Sequence, residues 1–483
     1  MTSLKNKTIT GLLWSFLDNF SNQGILFIVG IILARLLEPY EFGLIAMIMI
    51  FIALSESFIN SGFSQALIQK KDSNNIDFST VFYFNIVVAF IFIIVLYFSA
   101  PFISIFFQEP RLTLIVRYSA IILIIDAFAL VQKTILTRNI NFKLQAKISI
   151  LASLSSGIIA ILMAYLGFGV WSLVVKIIIQ KIINTILLWH WNKWRPKAVF
   201  STKSFNKLFP FGSRLLVSGL LETVYQNIYY LIIGKYFSVY ELGYYTRANQ
   251  FQKLPSSNIS GVINRVTYPV LSKLQDDKTR LKSAFKKLVS STMLISFVLM
   301  FGLAAIAEPL IISLIGEKWA PSIIYLQLLC FVGVQYPIHA INLNLLKVKG
   351  RTDLFLRLEI IKKILAIPVV IFGVYFGINM MIIAMIIFSV ILFFLNSYWT
   401  EHFVEYSGLS QLKNISKSFF IASIVSIIIY ILGNNIPFDM IYILLIQIIL
   451  GAILTISLLE ATELNEYIEI KNIIKPYINN IKI

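Results

Sequence analysis

The sequence predicts an all-α polytopic membrane protein of 14 transmembrane helices. They form two pseudo-twofold-related six-helix bundles plus a C-terminal helix pair, V-shaped around a central cavity. Three observations carry this expectation. Apolar residues fill 58% of the 483 positions and charged residues only 13%, too apolar for a soluble surface but compatible with lipid. Cationic residues collect in alternate loops. A turn is also written twice: Leu33–Gly43 reads LARLLEPYEFG and Ile233–Gly243 reads IGKYFSVYELG, so that Arg35/Lys235, Tyr40/Tyr240, Glu41/Glu241 and Gly43/Gly243 each stand 200 positions apart.

A helix crossing the hydrocarbon needs about 20 mostly apolar residues. Spans are expected near 12–36, 42–68, 80–107, 113–136, 148–167, 169–191, 213–237, 243–268, 287–314, 322–346, 359–377, 379–400, 417–433 and 440–459. Lys5 and Lys7 ahead of Leu12–Leu17 imitate a secretory signal. Asp18 and Asn19 then break the apolar run and no small-residue cleavage site follows, so an uncleaved first span is expected. Cys330 is the only cysteine, which excludes a disulfide framework.

The net charge of +18 is a topology signal rather than a nucleic-acid signal. One set of loops holds Lys70 and Lys71, Arg138 to Lys147, Lys193 to Lys207, Lys273 to Lys287 and Lys347 to Lys363. The opposite set holds little beyond Arg35, Arg111, Lys235 and Lys318. Positive charge marks the cytoplasmic side, so both termini are expected there. The repeated turn falls outside, between spans 1 and 2 and between spans 7 and 8. A second echo, YLGFGVW at Tyr165–Trp171 and YFGINMM at Tyr375–Met381, supplies an uncharged outer turn in each half. Six spans are an even number, so both halves insert the same way up, around an axis along the membrane normal. The expected domains are 1–191, an N-terminal six-helix bundle; 192–212, a basic cytoplasmic interfacial linker; 213–400, a C-terminal six-helix bundle; and 401–483, two extra spans and a cytoplasmic tail.

A charge at the bilayer centre costs roughly 2.5–3.5 kcal/mol on insertion scales, which makes intramembrane charges candidates for function. Residues three or four apart share a helix face. Such stripes are Asp18 and Asn22, Glu56 and Asn60, Glu222 and Gln226, and Lys176, Gln180 and Asn184. Span 8 carries Gln250, Lys253, Ser257, Ser260 and Asn264, with Arg247 toward its outer end; span 10 carries Gln335, His339 and Asn342. Asn22, Asn60, Lys176, Glu222, Gln226, Arg247, Gln250, Lys253 and Gln335 are the candidate cavity residues. Lys181 is rotated by about 140° from Lys176, so one of the two is expected to face the cavity. Asp18, Glu56, Asp126 and Glu222 are the candidate ion- or proton-coupling groups, since a desolvated carboxylate takes up a proton more readily. Bland readings stand beside these. Asp126 and Lys133 are either a structural ion pair or cavity groups. Arg117 is read as snorkelling to the interface, and His339 as a hydrogen-bonded packing residue beside Pro337.

Several strings resemble the polysaccharide-transporter branch of the multidrug/oligosaccharidyl-lipid/polysaccharide (MOP) exporter superfamily, the Wzx-type flippases. They are GLLWSFLDNFSNQGILFIVGIILARLLEPYEFGLIA (11–46), SGFSQALIQKKD (61–72), LTRNINFKLQAK (136–147), LGFGVWSLVVK (166–176), YELGYYTRANQFQKLP (240–255) and IGEKWAPS (315–322). The resemblance covers nearly the whole chain. It implies translocation of an undecaprenyl-pyrophosphate-linked glycan across the bacterial inner membrane for O-antigen, capsule or exopolysaccharide synthesis, with a polymerase and a chain-length regulator as partners. It implies no catalysis, no cofactor and no nucleic acid. On that reading Lys253, Arg247, Lys176 and Lys181 suit the pyrophosphate, while Asn22, Gln226, Asn227, Tyr225 and Tyr229 suit sugars. Spans 13 and 14 suit the polyprenyl tail.

The alternative is a proton- or cation-coupled multidrug antiporter of the same superfamily, for which a purely acidic cavity is expected. A membrane enzyme is a third class; His190, His339 and His402 are the only histidines, and no soluble catalytic domain is present. No GxxxxGK phosphate loop occurs, so ATP hydrolysis by that route is excluded.

Overall fold

In the computed structural model, residues 2–60 and 62–472 are described. The helices are α1 (Thr2–Leu36), α2 (Pro39–Asn60), α3 (Phe63–Gln69), α4 (Asn75–Phe107), α5 (Leu112–Ser119), α6 (Ile121–Arg138), α7 (Phe142–Tyr165), α8 (Val170–Trp191) and α9 (Thr202–Tyr236). They continue as α10 (Val239–Lys273), α11 (Lys278–Ala305), α12 (Ala307–Ile315), α13 (Ser322–Gly333), α14 (Tyr336–Val348), α15 (Thr352–Phe376), α16 (Ile378–Val404), α17 (Gly408–Asn435) and α18 (Met440–Ala461). No strand occurs among the described residues. In lipid the backbone must satisfy its own hydrogen bonds, and helices do so locally.

Among the described residues, ten helices or end-to-end helix pairs are long and apolar enough to cross a membrane. Expected spans also fall on α1, α9, α10 and α15. Charge interrupts three of them, with Arg214 and Glu222 in α9, Arg247 and Lys253 in α10, and Arg357 to Lys363 in α15; α1 carries the apolar stretch Phe20–Leu36.

Packing divides the chain into residues 1–243 and 244–483. In the first unit α1 lies along α7, α7 along α8, and α4 against α6. Helix α9, which the sequence reading assigns to the second bundle, packs on α2, α3 and α4. The segment read as an interfacial linker docks on α4. Its backbone N–H groups at Lys197 and Ser201 donate to Ser79 Oγ (2.9 Å) and Thr80 Oγ1 (3.1 Å) at the start of α4, and from Thr202 onward it is already α9. Beside it, Asn74 and Asp77 form a reciprocal cap on α4. Lys70 Nζ donates to Asp77 at 2.5 Å, and Ser204 donates to the same carboxylate.

The two copies of the repeated turn meet inside this first unit. A Cβ on Gly43 would stand 2.0 Å from the Val239 carbonyl oxygen, and one on Gly243 would stand 2.0 Å from the Pro39 carbonyl oxygen. The contact is reciprocal at the same 200-residue offset, and Tyr40 and Tyr240 complete it with ring centroids 5.5 Å apart. Glycine is required at both positions because backbone lies where a side chain would begin. In the second echo, Gly167 and Gly377 hold equivalent positive φ values of 82° and 94° and turn the chain from α7 to α8 and from α15 to α16.

In the second unit α11 packs on α17, α15 on α16, and α17 on α18. Asn342 and Gln411, each no more than 1% exposed, exchange amide hydrogen bonds of 3.1 and 3.2 Å. Thr400 Oγ1 adds a third bond to Asn342 at 2.6 Å. A closed set of this kind joins α14, α16 and α17 without an unmet polar atom at its centre.

Gly43→Val and Gly243→Val are each expected to destabilise the fold by about 1–3 kcal/mol, the usual cost of overpacking. Gly302→Ala, on α11 with no atom within 4 Å of the added Cβ, is expected to be neutral or slightly stabilising. Midpoints of thermal unfolding in detergent check this; equal midpoints for all three variants would refute it.

Candidate functional site

Three helices of the first unit bring charge to one place. Lys181 on α8 donates to Asp126 Oδ2 on α6 at 2.5 Å and to Glu56 Oε1 on α2 at 3.2 Å. These groups line a cavity of about 460 Å³ together with Asn60, Lys133, Gln180 and Asn184. The spacing of the stripes explains why they meet. Glu56 and Asn60 are one turn apart on α2, and Gln180 and Asn184 on α8, so each helix turns a polar edge into the same space. Two carboxylates and two ammonium groups make this wall close to neutral, with both signs available.

A polar chain borders the cavity. Gln180 Nε2 donates to Ser153 Oγ at 2.9 Å, and Ser153 donates to Asn22 Oδ1. Asp18, one turn before Asn22, lies by the Ser149 hydroxyl and within electrostatic reach of Lys133. Asn22 and Asp18 on α1 are thereby joined to the edge of the Glu56 and Asp126 site. Ser149, Ser153 and Ser156 are neighbours of these side chains that sequence reasoning missed. Their four- and three-residue spacing on α7 is itself a polar stripe and was there to be read.

Other expectations fall differently. Asp126 does not form its ion pair with Lys133: its partner is Lys181. Seven residues along one helix separate two side chains by about 10 Å, whereas α8 crosses α6 closely. Both Asp126 and Lys133 are cavity groups. Lys176 is absent from the cavity lining, and Lys181 occupies it. Gln226 Nε2 donates to Glu222 Oε1 at 2.8 Å, so these two stay together on the exposed face of α9. Arg117 bonds the Tyr97 carbonyl at 3.3 Å with its guanidinium 4.3 Å from the Tyr97 ring.

In the second unit, Arg247 Nη1 donates to Gln250 Oε1 at 2.6 Å and its guanidinium stands 5.8 Å from the Trp319 ring. Arg247 is buried, whereas Lys253, further along α10, is exposed. Gln335 stands at the N-cap position of α14, and its side chain makes no capping hydrogen bond there. His339 Nδ1 and Nε2 lie 3.1 Å from Asn396 Nδ2 and Ser389 Oγ. The amide donates to Nδ1, so Nε2 carries the proton toward Ser389, and the ring acts as a link between α14 and α16. The side chains of Asn264, Lys5 and Lys7 lie outside the described residues. No group of three or more His, Cys, Asp or Glu side chains suited to a metal occurs among the described residues.

Breaking a fully buried charge pair costs about 3–5 kcal/mol. The Lys181, Glu56 and Asp126 side chains keep between 22% and 35% exposure, so Lys181→Met is expected to cost about 1–2 kcal/mol after allowing for solvent screening. Adding Asp126→Asn should recover more of that loss than adding Glu56→Gln, because Asp126 holds the shorter contact. A thermal-unfolding double-mutant cycle checks the order.

Comparison with known proteins follows the same outline. Residues 32–324, more than half of the chain, match the family model described as polysaccharide biosynthesis protein. The teichuronic acid biosynthesis protein TuaB of Bacillus subtilis is 29% identical over 299 residues, 61% of this chain; the chain spans 62% of the length of that relative. The lipopolysaccharide biosynthesis protein WzxC of Escherichia coli is 23% identical over 373 residues, covering 77% of this chain and 76% of the relative. Among solved structures, lipid II flippase MurJ in an inward closed conformation superposes with a TM-score of 0.72 at 16% identity, covering 92% of this chain and 97% of that one. An inward-facing multidrug resistance MATE transporter of the MOP superfamily gives 0.62 at 15% identity, covering 82% and 96%. The helices therefore follow the MurJ and MATE fold, and the chain belongs to the polysaccharide biosynthesis protein family.

Proposed function

We propose that this protein flips undecaprenyl-pyrophosphate-linked oligosaccharide units from the inner to the outer leaflet of a bacterial cytoplasmic membrane, supplying surface polysaccharide synthesis. The observation that carries the reading is the mixed-charge cavity around Lys181, Glu56 and Asp126, set within helices otherwise apolar enough for lipid. Charges at membrane depth are expensive and mark ligand or ion pathways. Amides at Asn60, Gln180 and Asn184 offer sugar hydroxyls donors and acceptors, and Lys133 and Lys181 offer an anion counter-charge. A drug-cation antiporter would favour Glu56 and Asp126 without the ammonium between them.

The mechanism we propose is alternating access by 14 spans in two six-helix bundles, with both termini cytoplasmic. The reciprocal packing of Pro39–Gly43 on Val239–Gly243 supports a closed contact on the outer side, where the positive-inside rule puts both turns. Lys176, Glu222, Gln226, Arg247, Gln250, Lys253 and Gln335 extend the substrate path on this reading. Asp18, Glu56, Asp126 and Glu222 are the coupling carboxylates, and a polymerase and a chain-length regulator receive the product.

Deleting the gene in its host should cause lipid-linked repeat units to accumulate on the inner leaflet. Wild-type chain should clear them, while Lys181→Met and Lys253→Glu should each leave at least part of the block. Normal export in the deletion strain would overturn the flippase reading. Coupling is tested by changing Asp18, Glu56, Asp126 and Glu222 singly to their amides. Export that persists in all four, and after collapse of the proton gradient, would remove the coupling reading alone.

A further inference from the structure

A second charged cavity, of about 430 Å³, lies in the unit formed by residues 244–483, far along the sequence from the Glu56 site. Lys286 of α11, Lys413 and Lys417 of α17, Asn414, Tyr406, and the segment after α18 with Glu463 and Glu466 enclose it. Its place in the chain is the lysine-rich end of these helices, the cytoplasmic side by the positive-inside rule.

The three lysines are arranged at a cost. Lys413 and Lys417 stand one turn apart on one face of α17, a like-charge spacing that destabilises a helix. Among the described residues no carboxylate lies within 4 Å of the three ammonium groups. Neighbouring lysines at the same end do find partners: Lys287 pairs with Glu469 at 2.7 Å and Lys278 with Glu405 at 2.5 Å. The Tyr406 hydroxyl belongs to a residue only 5% exposed. The Asn414 amide approaches its oxygen, but among the described residues no acceptor takes its hydrogen, so a buried donor lines a cavity rich in positive charge. A buried hydroxyl hydrogen without an acceptor and self-repelling ammonium groups are relieved together by one anion.

From this juxtaposition we propose that Lys286, Lys413, Lys417 and Tyr406 bind the phosphate of a singly charged phosphodiester headgroup from the surrounding leaflet, phosphatidylglycerol in kind. Basic pockets between helices at this face of a membrane take such groups. Charge selects the class. Three lysines against Glu463 and Glu466 leave one net positive charge (3 − 2 = 1), which matches one phosphodiester. A pyrophosphate linkage, with more than one negative charge, would meet the two glutamates uncompensated, so the pocket is distinct from a substrate path. The occupant bridges α11, α17 and the chain after α18.

The test uses purified full-length chain, native mass spectrometry and three probes at equal concentration: phosphatidylglycerol, phosphatidylethanolamine and inorganic phosphate. Wild-type chain is expected to retain phosphatidylglycerol in preference to the other two. Each lysine near a membrane surface contributes roughly fivefold in affinity for an anionic headgroup. The triple variant Lys286→Gln, Lys413→Gln, Lys417→Gln should then lose on the order of a hundredfold. Tyr406→Phe, which keeps the ring packed against Phe285 (centroids 6.2 Å apart), should weaken binding several-fold without unfolding. Lys471→Gln, whose ammonium is already paired with Glu460 at 2.5 Å, should leave binding unchanged. Undiminished binding in the triple variant overturns the site. Equal retention of both lipids overturns the charge selection, and displacement by inorganic phosphate reassigns the pocket to a soluble anion. No transported substrate enters the assay, so its failure leaves the flippase reading untouched.

Discussion

Every polar atom placed at membrane depth must find its partner within the protein or in water that the protein admits. In the first unit that constraint converges on Lys181. Its ammonium holds Asp126 and Glu56 together, so three helices with long apolar faces share one charged edge. Without the lysine, two carboxylates would face each other in a medium that screens them poorly. With it, the wall is polar yet nearly neutral, and the cavity persists because charged groups resist collapse onto one another.

The repeated turn shows a different economy. Two stretches 200 residues apart share tyrosine, acid and glycine, and the structure shows that they touch. Each glycine leaves room for the other copy's backbone carbonyl. A duplicated sequence that packs on itself needs the same small residue twice, since the contact is self-complementary in the manner of a twofold interface. Fixed points of this kind also let neighbouring helices carry polar side chains, because close backbone packing supplies cohesion that apolar side chains would otherwise provide.

The second unit applies the constraint in two ways. At its centre, Asn342, Gln411 and Thr400 satisfy one another. At the lysine-rich end, Lys286, Lys413, Lys417 and Tyr406 are not satisfied among themselves, and a phosphodiester completes them. The first arrangement binds helices together and asks for nothing further. The second has the chemistry of an anion site.

Much of this was legible in the sequence, and the reason is locality. Hydropathy over about 20 residues reports a span, a three- or four-residue period reports a face, and a 200-residue offset reports a duplication. The stripes Glu56–Asn60 and Gln180–Asn184 were found in this way. Which faces meet was not legible. Lys176 and Lys181 are both one residue type on one helix, and choosing between them requires the rotation of α8 against α6. Asp126 offered itself to Lys133 on its own helix, but the partner came from a helix 55 residues away. The docking of residues 192–201 on α4 and the meeting of Gly43 with Val239 are likewise invisible to any window along the chain. Local composition determines what each helix is, because side-chain transfer into lipid is a property of single residues. Only the tertiary structure decides which charges pair, because Coulomb energy depends on distance between helices and the sequence alone carries no distance.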